Sequence, residues 1–451
     1  KIRFGNGGSA GADGDIIYFD DIELVKIGGN PGIVAADATY NRNNPHKQAM
    51  STVMTLDGSG DYLNTGSTFQ STHRGSFSWS CWVKLDDGQP AADDTILGTS
   101  IGTDIMMINA RTTGKIEFRF EGENDNASYE TNAAVFSDGA TDWTHITCTA
   151  TYNAGGADTS FAIYVNGSVV AGTLTGSITD DNHLLWTTTH NIYLGGVNNT
   201  GTLNNAWAGN MDEVAIWDAV LDADAVAAIY AAGRSYDLTA DTGNYDNASD
   251  LTGYWRMGEG SNDDLTNGII FDQNTSTIGS NLITESSFET TDDWTAVTAS
   301  GSTSAVSTDI AHTGTKSWKV TVDGTDTNLG VTQDVTVELN TVYRADVWCY
   351  AHADNDAAIA MNMKKNAGNS IAFLGTGASY YSNSIPLGVW TLLTGYFRTA
   401  SSNTALTFKV GQGGTSGAAG DIFYVDDVTL VKIGGNPGIA AANATFIRQP
   451  V

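Results

Sequence analysis

Apolar and polar residues alternate along most of the chain in short runs, and clusters of Gly, Asn and Asp separate the runs. FSWSCWVKL (Phe77–Leu85), KIEFRFEG (Lys115–Gly122), WTHITCTATY (Trp143–Tyr152), SFAIYVNG (Ser160–Gly167), NIYLGG (Asn191–Gly196) and NMDEVAIWD (Asn210–Asp218) each follow the two-residue period of a strand with one buried face. Asn166-Gly167 marks a hairpin turn. One stretch breaks the period: LDADAVAAIYAAG (Leu221–Gly233) is Ala-rich, opens on Asp222 as an N-cap and stops at Gly233, so it predicts a helix. The pattern is that of an all-β protein, tandem antiparallel β-sandwich jelly rolls with one short helix.

The pattern also repeats. GDIIYFDDIELVKIGGNPGI, starting at Gly14, returns as GDIFYVDDVTLVKIGGNPGI at Gly420, and residues 2–42 match residues 408–448 at 26 of 41 positions. This divides the chain into closing strands of one sandwich (1–27), a connector (28–50), a sandwich (51–260), a polar linker (261–280), a second sandwich (281–434) and a repeat of the connector (435–451). A slice of a tandem array with a 406-residue period accounts for the repeat. The weaker alternative is that Lys1–Ile27 inserts into an incomplete sandwich of another molecule, although residues 281–434 already have their own copy of these strands.

Composition narrows the function classes. With 51 acidic against 21 basic residues, a net charge of −30, nucleic acid would be repelled. Clustered carboxylates on such a surface either bind Ca²⁺ or are simply solvated. Cys81, Cys148 and Cys349 fall on apolar faces and read as small core residues, with a Cys81–Cys148 bridge open if their strands are neighbours. No apolar run reaches the roughly 20 residues that cross a bilayer.

LDGSGDYLNTG, FSWSCWVKL, DWTHITCTATY, FAIYVNGSVVAG, AGNMDEVAIWDAVLDADAVAAIYAAG and LTGYWRMGEG occur in this order between Leu56 and Gly260, and this part resembles the laminin-G-like, concanavalin-A-like jelly rolls. NLITESSFETTDDW, AHTGTKSWKVT, LNTVYRADVWCYA, GVWTLLTGYFRT and DIFYVDDVTLVK make residues 281–434 similar to the carbohydrate-binding modules attached to xylanases and cellulases. In those modules a structural calcium bridges the opening Phe-Glu segment and the closing aspartate. The resemblance carries this to Glu289 and to Asp426 or Asp427, with backbone carbonyls near Lys316 as further ligands. Asp20 and Asp21 are the matching pair in the first copy. From the residues alone, one carboxylate of each adjacent pair must face the core, where it is either metal-bound or hydrogen-bonded to a loop. In the first sandwich the family's loop calcium would draw on Asp57, Asp61, Asp104 and residues 123–126.

Sugar binding needs an aromatic platform flanked by polar groups. In YRADVWCYAHAD, Arg344, Asp346, Trp348 and Tyr350 share one face of a strand, and Tyr396 with Arg398 could extend it from a neighbouring strand. These aromatics contact either glycan or a neighbouring domain or subunit, and Trp82, sharing a face with Ser78, Ser80 and Lys84, poses the same question. FDDIEL (Phe19–Leu24) is similar to the Glu-x-Asp-x-x-Glu strand of laminarinase-type glycosidases, which need two carboxyls flanking the bond, but Phe19 stands where that resemblance would put the nucleophilic glutamate and the second copy replaces Glu23 by Thr429, so the motif fails. The seven histidines show no triad or metal-ligand spacing, so no catalytic residue is expected. The sequence thus points to a non-catalytic extracellular or virion-surface protein, of the kind seen in phage tail fibres and bacterial adhesins. Its expected partners are glycans and neighbouring copies of the repeat, with Ca²⁺ as a structural ion. The alternatives are a purely structural filament or virion component, or the accessory region of a glycan-degrading enzyme.

Overall fold

The computed structural model describes residues 50–450 apart from short loop stretches, the longest of them 178–190. Asp20 and Asp21 lie outside the described residues.

The first sandwich forms because its alternating runs each have one face to hide. Phe77, Trp79, Cys81, Val83 and Leu85 all point into the core from one strand. That strand pairs with Thr144–Thr151 on one side and Ala208–Trp217 on the other. A second sheet, containing Asp94–Ile101, Asp104–Ala110, Ile116–Glu121 and Asn126–Thr131, packs its own apolar face against it. Asn166 and Gly167 both take positive φ (49° and 79°), as a type I′ hairpin requires. The Asp222 side chain accepts from Ala225 N at 2.7 Å and caps the helix Ala223–Ala232, which ends at Gly233. Cys81 and Cys148 lie on paired strands, but Cys81 faces Ile146 and Cys148 faces Trp79, so the two thiols are diagonal and free. Cys349 is also buried and free.

The second sandwich packs a sheet containing Ser317–Thr321, Val342–Ala351, Thr391–Arg398 and Ile422–Ile433 against one containing Gly330–Thr336, Ile359–Lys365 and Ala405–Gln412. In each sandwich the closing strand carries two adjacent acids on a bulge. Glu213 has φ 47° beside a register shift between Asp212 and Ala215. Asp427 has φ 44°, opposite a shift between Asp346 and Trp348. The extra residue lets two consecutive side chains escape strict alternation. Asp212 and Asp426 are consequently both 0 % exposed.

The chain then returns to its first sandwich. Gly438–Ala440 pairs with Leu63–Asn64 and with Ile269–Ile270. Thr445–Pro450 pairs with Met50–Thr55 as an edge strand. Ala440 is buried in the first core, and Phe446 packs against it. Between the sandwiches, Ile269 and Phe271 meet Val342, Tyr396, Val431 and Ile433 in an apolar cluster.

The buried seat of Ala440 yields a test. Ala440→Asp puts an unpaired carboxylate into the core and costs about 3 kcal/mol or more. The melting temperature should fall by roughly 6–12 °C. Calorimetry showing no change would mean that this segment does not belong to the first core.

Candidate functional site

The strand Val342–Ala351 separates its residues as its pattern predicts: Tyr343, Ala345, Val347 and Cys349 face inward, and Arg344, Asp346, Trp348 and Tyr350 face outward, half-buried. On the outward face Arg344 lies opposite Tyr396 and Trp348 opposite Leu392 on one neighbour, and Trp348 opposite Asp426 and Tyr350 opposite Tyr424 on the other.

This face has two unlike ends. At the Arg344 end, Tyr396 is 2 % exposed because Ile269 and Phe271 of the first sandwich cover it, and burial pushes its phenol up. Tyr396 is therefore a contact between the sandwiches, not part of an open platform. Arg344 Nε donates to Asp346 at 2.9 Å, and Thr394 Oγ1 donates to the same carboxylate at 2.7 Å, so these two polar residues hold each other.

The Trp348 end is open. His312 stacks on Trp348 with centroids 3.9 Å apart and planes 16° from parallel. Trp390 lies 5.6 Å from His312 and 5.5 Å from Tyr350, and Tyr350 lies 6.0 Å from Tyr424. Lys319 Nζ stands 5.7 Å from the Tyr424 ring and 2.7 Å from Asp309. Leu387, Val389 and Leu392 are exposed on or beside this cluster. Sequence reading missed His312 and Trp390, which sit in loops without periodicity. Tyr424 was within reach, since it alternates with Phe423 and Val425 on a strand already identified.

Three acids fix the loop that carries His312. Asp426 Oδ2 accepts from His312 N at 2.8 Å and Thr313 N at 3.3 Å, while Oδ1 accepts from Asp427 N at 2.8 Å. Burial pushes its carboxyl up to about 6. Asp427 accepts from Thr313 Oγ1 at 2.7 Å and pairs with His312 Nδ1 at 2.6 Å. Glu289 accepts from Thr315 N at 2.7 Å, Thr315 Oγ1 at 2.8 Å and Lys316 N at 2.9 Å, and those bonds hold its carboxyl below the usual range. Neither acid of the pair faces the core, contrary to the strand-alternation expectation: Asp426 lies opposite Trp348 on the outward face, the bulge at Asp427 keeps the second acid on that side, and both are hydrogen-bonded to the 312–316 loop that covers them. Among the described residues no three His, Cys, Asp or Glu side chains gather as a metal cluster. As arranged, the oxygens of Glu289, Asp426 and Asp427 accept hydrogen bonds from residues of the 312–316 loop. In the first sandwich, Asp61 is turned to Asp57 N at 3.1 Å, and residues 123–125 lie outside the described residues.

Trp82 is 9 % exposed, with Tyr230 of the helix stacked on it at 5.6 Å and His145 at 5.1 Å. It is a covered residue and offers no platform. The fold also brings Ser80 Oγ within 2.7 Å of His145 Nε2, a pairing the sequence did not reveal. Both are buried, burial holds His145 near pKa 3 and so neutral, and the adjoining cavity is only about 10 Å³. No substrate reaches a serine so enclosed. Beside it, Glu213 accepts from Arg256 Nε at 3.1 Å and from the Tyr254 hydroxyl, and burial pushes Glu213 up to about 7. Asp212 accepts from Ser51 Oγ at 2.9 Å and lies 3.4 Å from Arg234.

The two sandwiches correspond to two families. Residues 57–227 match the concanavalin A-like lectin/glucanases superfamily, and residues 280–417 match a carbohydrate binding domain family. Along the chain a concanavalin A-like match is thus followed by a carbohydrate-binding match. Among solved structures it is similar to the CBM22-1 xylan-binding domain of Paenibacillus barcinonensis Xyn10C, at 19 % identity over 34 % of this chain and 96 % of that one, with a TM-score of 0.27. It is also similar to the CBM40 of a Ruminococcus gnavus IT-sialidase, at 13 % identity over 40 % of this chain and 97 % of that one, with a TM-score of 0.31. No curated protein matches it.

The buried acid pair predicts an inverted pH response. Because the folded pKa of Glu213 is raised from 4.5 to about 7, its stabilising contribution is complete below pH 4.5 and is lost as pH rises through 7. The melting temperature should fall between pH 5 and pH 8, and Glu213→Gln should flatten that slope. Equal slopes in the two proteins would show that Glu213 carries an ordinary pKa.

Proposed function

We propose that the chain is a non-catalytic glycan-binding protein whose contact surface is the open aromatic end of the second sandwich. Trp348 carries the reading: with Tyr350 it is an outward-facing aromatic left partly exposed, stacked on His312 and neighboured by Trp390 and the Lys319–Asp309 pair. Ring faces take the apolar face of a pyranose, and the charged rim offers partners to its hydroxyls. The match to a carbohydrate binding domain over residues 280–417 supports the same reading.

The setting we propose is extracellular, as a surface or fibre component of a phage or bacterium in which copies of the repeat space the binding faces. The internal repeat and a strongly acidic surface support this. No helix among the described residues is long and apolar enough to cross a membrane. A second reading, the accessory region of a glycan-degrading enzyme, keeps the same binding face and differs only in what lies elsewhere in a longer protein.

Calcium belongs to this proposal as a ligand that would take over oxygens of Glu289, Asp426 and Asp427 from the 312–316 loop. Thermal shift with millimolar Ca²⁺ against chelator measures it. A melting temperature raised by several degrees supports a bound ion, and superimposable curves reject it.

A glycan array probed with the full chain and with Trp348→Ala tests the binding face. Loss of one stacking aromatic should weaken binding tenfold or more, about 1.4 kcal/mol. Equal binding by the variant, or no binding by the parent across a broad array, would remove the proposal.

A further inference from the structure

Between the two sandwiches lies a second, chemically different cavity of about 210 Å³. Asn340, Thr341 and Arg398 of the second sandwich, Gly66 of the first, and the Lys432–Pro437 turn form its walls. The volume is far above the roughly 10–15 Å³ that one water needs, and below the roughly 300–1,000 Å³ of pockets for drug-sized ligands.

Its charge runs against that of the protein. In a chain with 51 acidic and 21 basic residues, this cavity is lined by two cations and no carboxylate. Lys432 is already paired, with Glu338 at 2.6 Å. Arg398 is not: Nη1 donates to the Asn340 carbonyl at 3.3 Å, and no carboxylate among the described residues forms an ion pair with it. Burial lowers its pKa with no acidic group opposing, yet a guanidinium remains charged at neutral pH. A partly desolvated cation without a counter-ion is costly, and an anion supplied from outside would relieve that cost. The site is also shaped around this side chain. Gly66 has φ +70°, and a Cβ there would stand 2.3 Å from Arg398 Nη2, so only glycine lets the guanidinium lie across the junction.

A second observation points to the same place. The ten residues LVKIGGNPGI, Leu430–Ile439, recur unchanged at Leu24–Ile33, the longest identical run in a repeat otherwise matched at 26 of 41 positions. Six of those ten, Lys432–Pro437, wall the cavity.

We propose that this cavity binds one acidic sugar residue, a uronate or a sulfated pyranose, with the Arg398 guanidinium on its carboxylate or sulfate. A planar guanidinium offers two parallel N–H donors to such a group. The size fits a single ring. The net charge of −30 disfavours a long polyanion, but screening over about 8 Å at physiological ionic strength leaves one anion governed by Arg398 and Lys432. A terminal acidic residue is therefore the ligand, not a run of them. This site is independent of the Trp348 face, and either can fail alone.

Isothermal titration of the full chain with glucuronic acid, glucose and sodium sulfate at about 0.15 M salt tests it. Glucuronate should bind at least tenfold more tightly than glucose. Arg398→Gln should lose at least tenfold, whereas Val169→Ser, at an exposed position of the first sandwich remote from the cavity lining, should bind glucuronate as the parent does. Thr341→Trp, which fills the cavity without altering its charge, should also abolish binding and carries the test if Arg398→Gln misfolds. Equal binding of glucose and glucuronate, sulfate binding that glucuronate does not displace, or undiminished binding by a folded Arg398→Gln or Thr341→Trp would each overturn the assignment.

Discussion

Two short strands from beyond the second sandwich, Gly438–Ala440 and Thr445–Pro450, complete the sheets of the first, and the arrangement of the rest depends on that return. A free sheet edge exposes unpaired N–H and C=O groups, and a core missing one wall exposes apolar side chains. The returning strands answer both needs at once, pairing with Met50–Thr55 and setting Ala440 into the core. Two domains that each look self-sufficient in composition are thereby joined by main-chain hydrogen bonds as well as by the Ile269–Phe271 contact.

This closure decides which aromatics are available. The outward face of Val342–Ala351 begins uniform in the sequence, and its Tyr396 end is then roofed by the first sandwich. What remains open is the Trp348 end, where the 312–316 loop is pinned by Glu289, Asp426 and Asp427 so that His312 lies flat on the indole. The acids act as loop anchors. The same closure leaves the Arg398 cavity at the seam.

The alternation of FSWSCWVKL and YRADVWCYA was legible because strand period and burial are tied directly, and the capped helix was legible from Asp222 and Gly233. The placing of the Asp426-Asp427 pair was not, because strict alternation would turn one acid to the core and the bulge instead keeps both on the outer face beneath the 312–316 loop. The covers over Trp82 and Tyr396 were not, since each depends on an element distant in sequence, the helix in one case and Ile269–Phe271 in the other. Nor could spacing reveal the Ser80–His145 pair or the placing of His312 and Trp390, which arise from strand register and loop path. The segment after Ile433 reads as a connector because its Gly, Asn and Pro residues punctuate it. Its role as sheet edge depends on a partner nearly 400 residues earlier.

Oxidative footprinting of the tryptophans, read by mass spectrometry with and without a bound oligosaccharide, tests the binding face most directly. Trp348 and Trp390 should be modified in the free chain and protected by ligand, while Trp82 stays unmodified in both. Protection absent at Trp348 under saturating glycan, or appearing instead in the first sandwich, would contradict it.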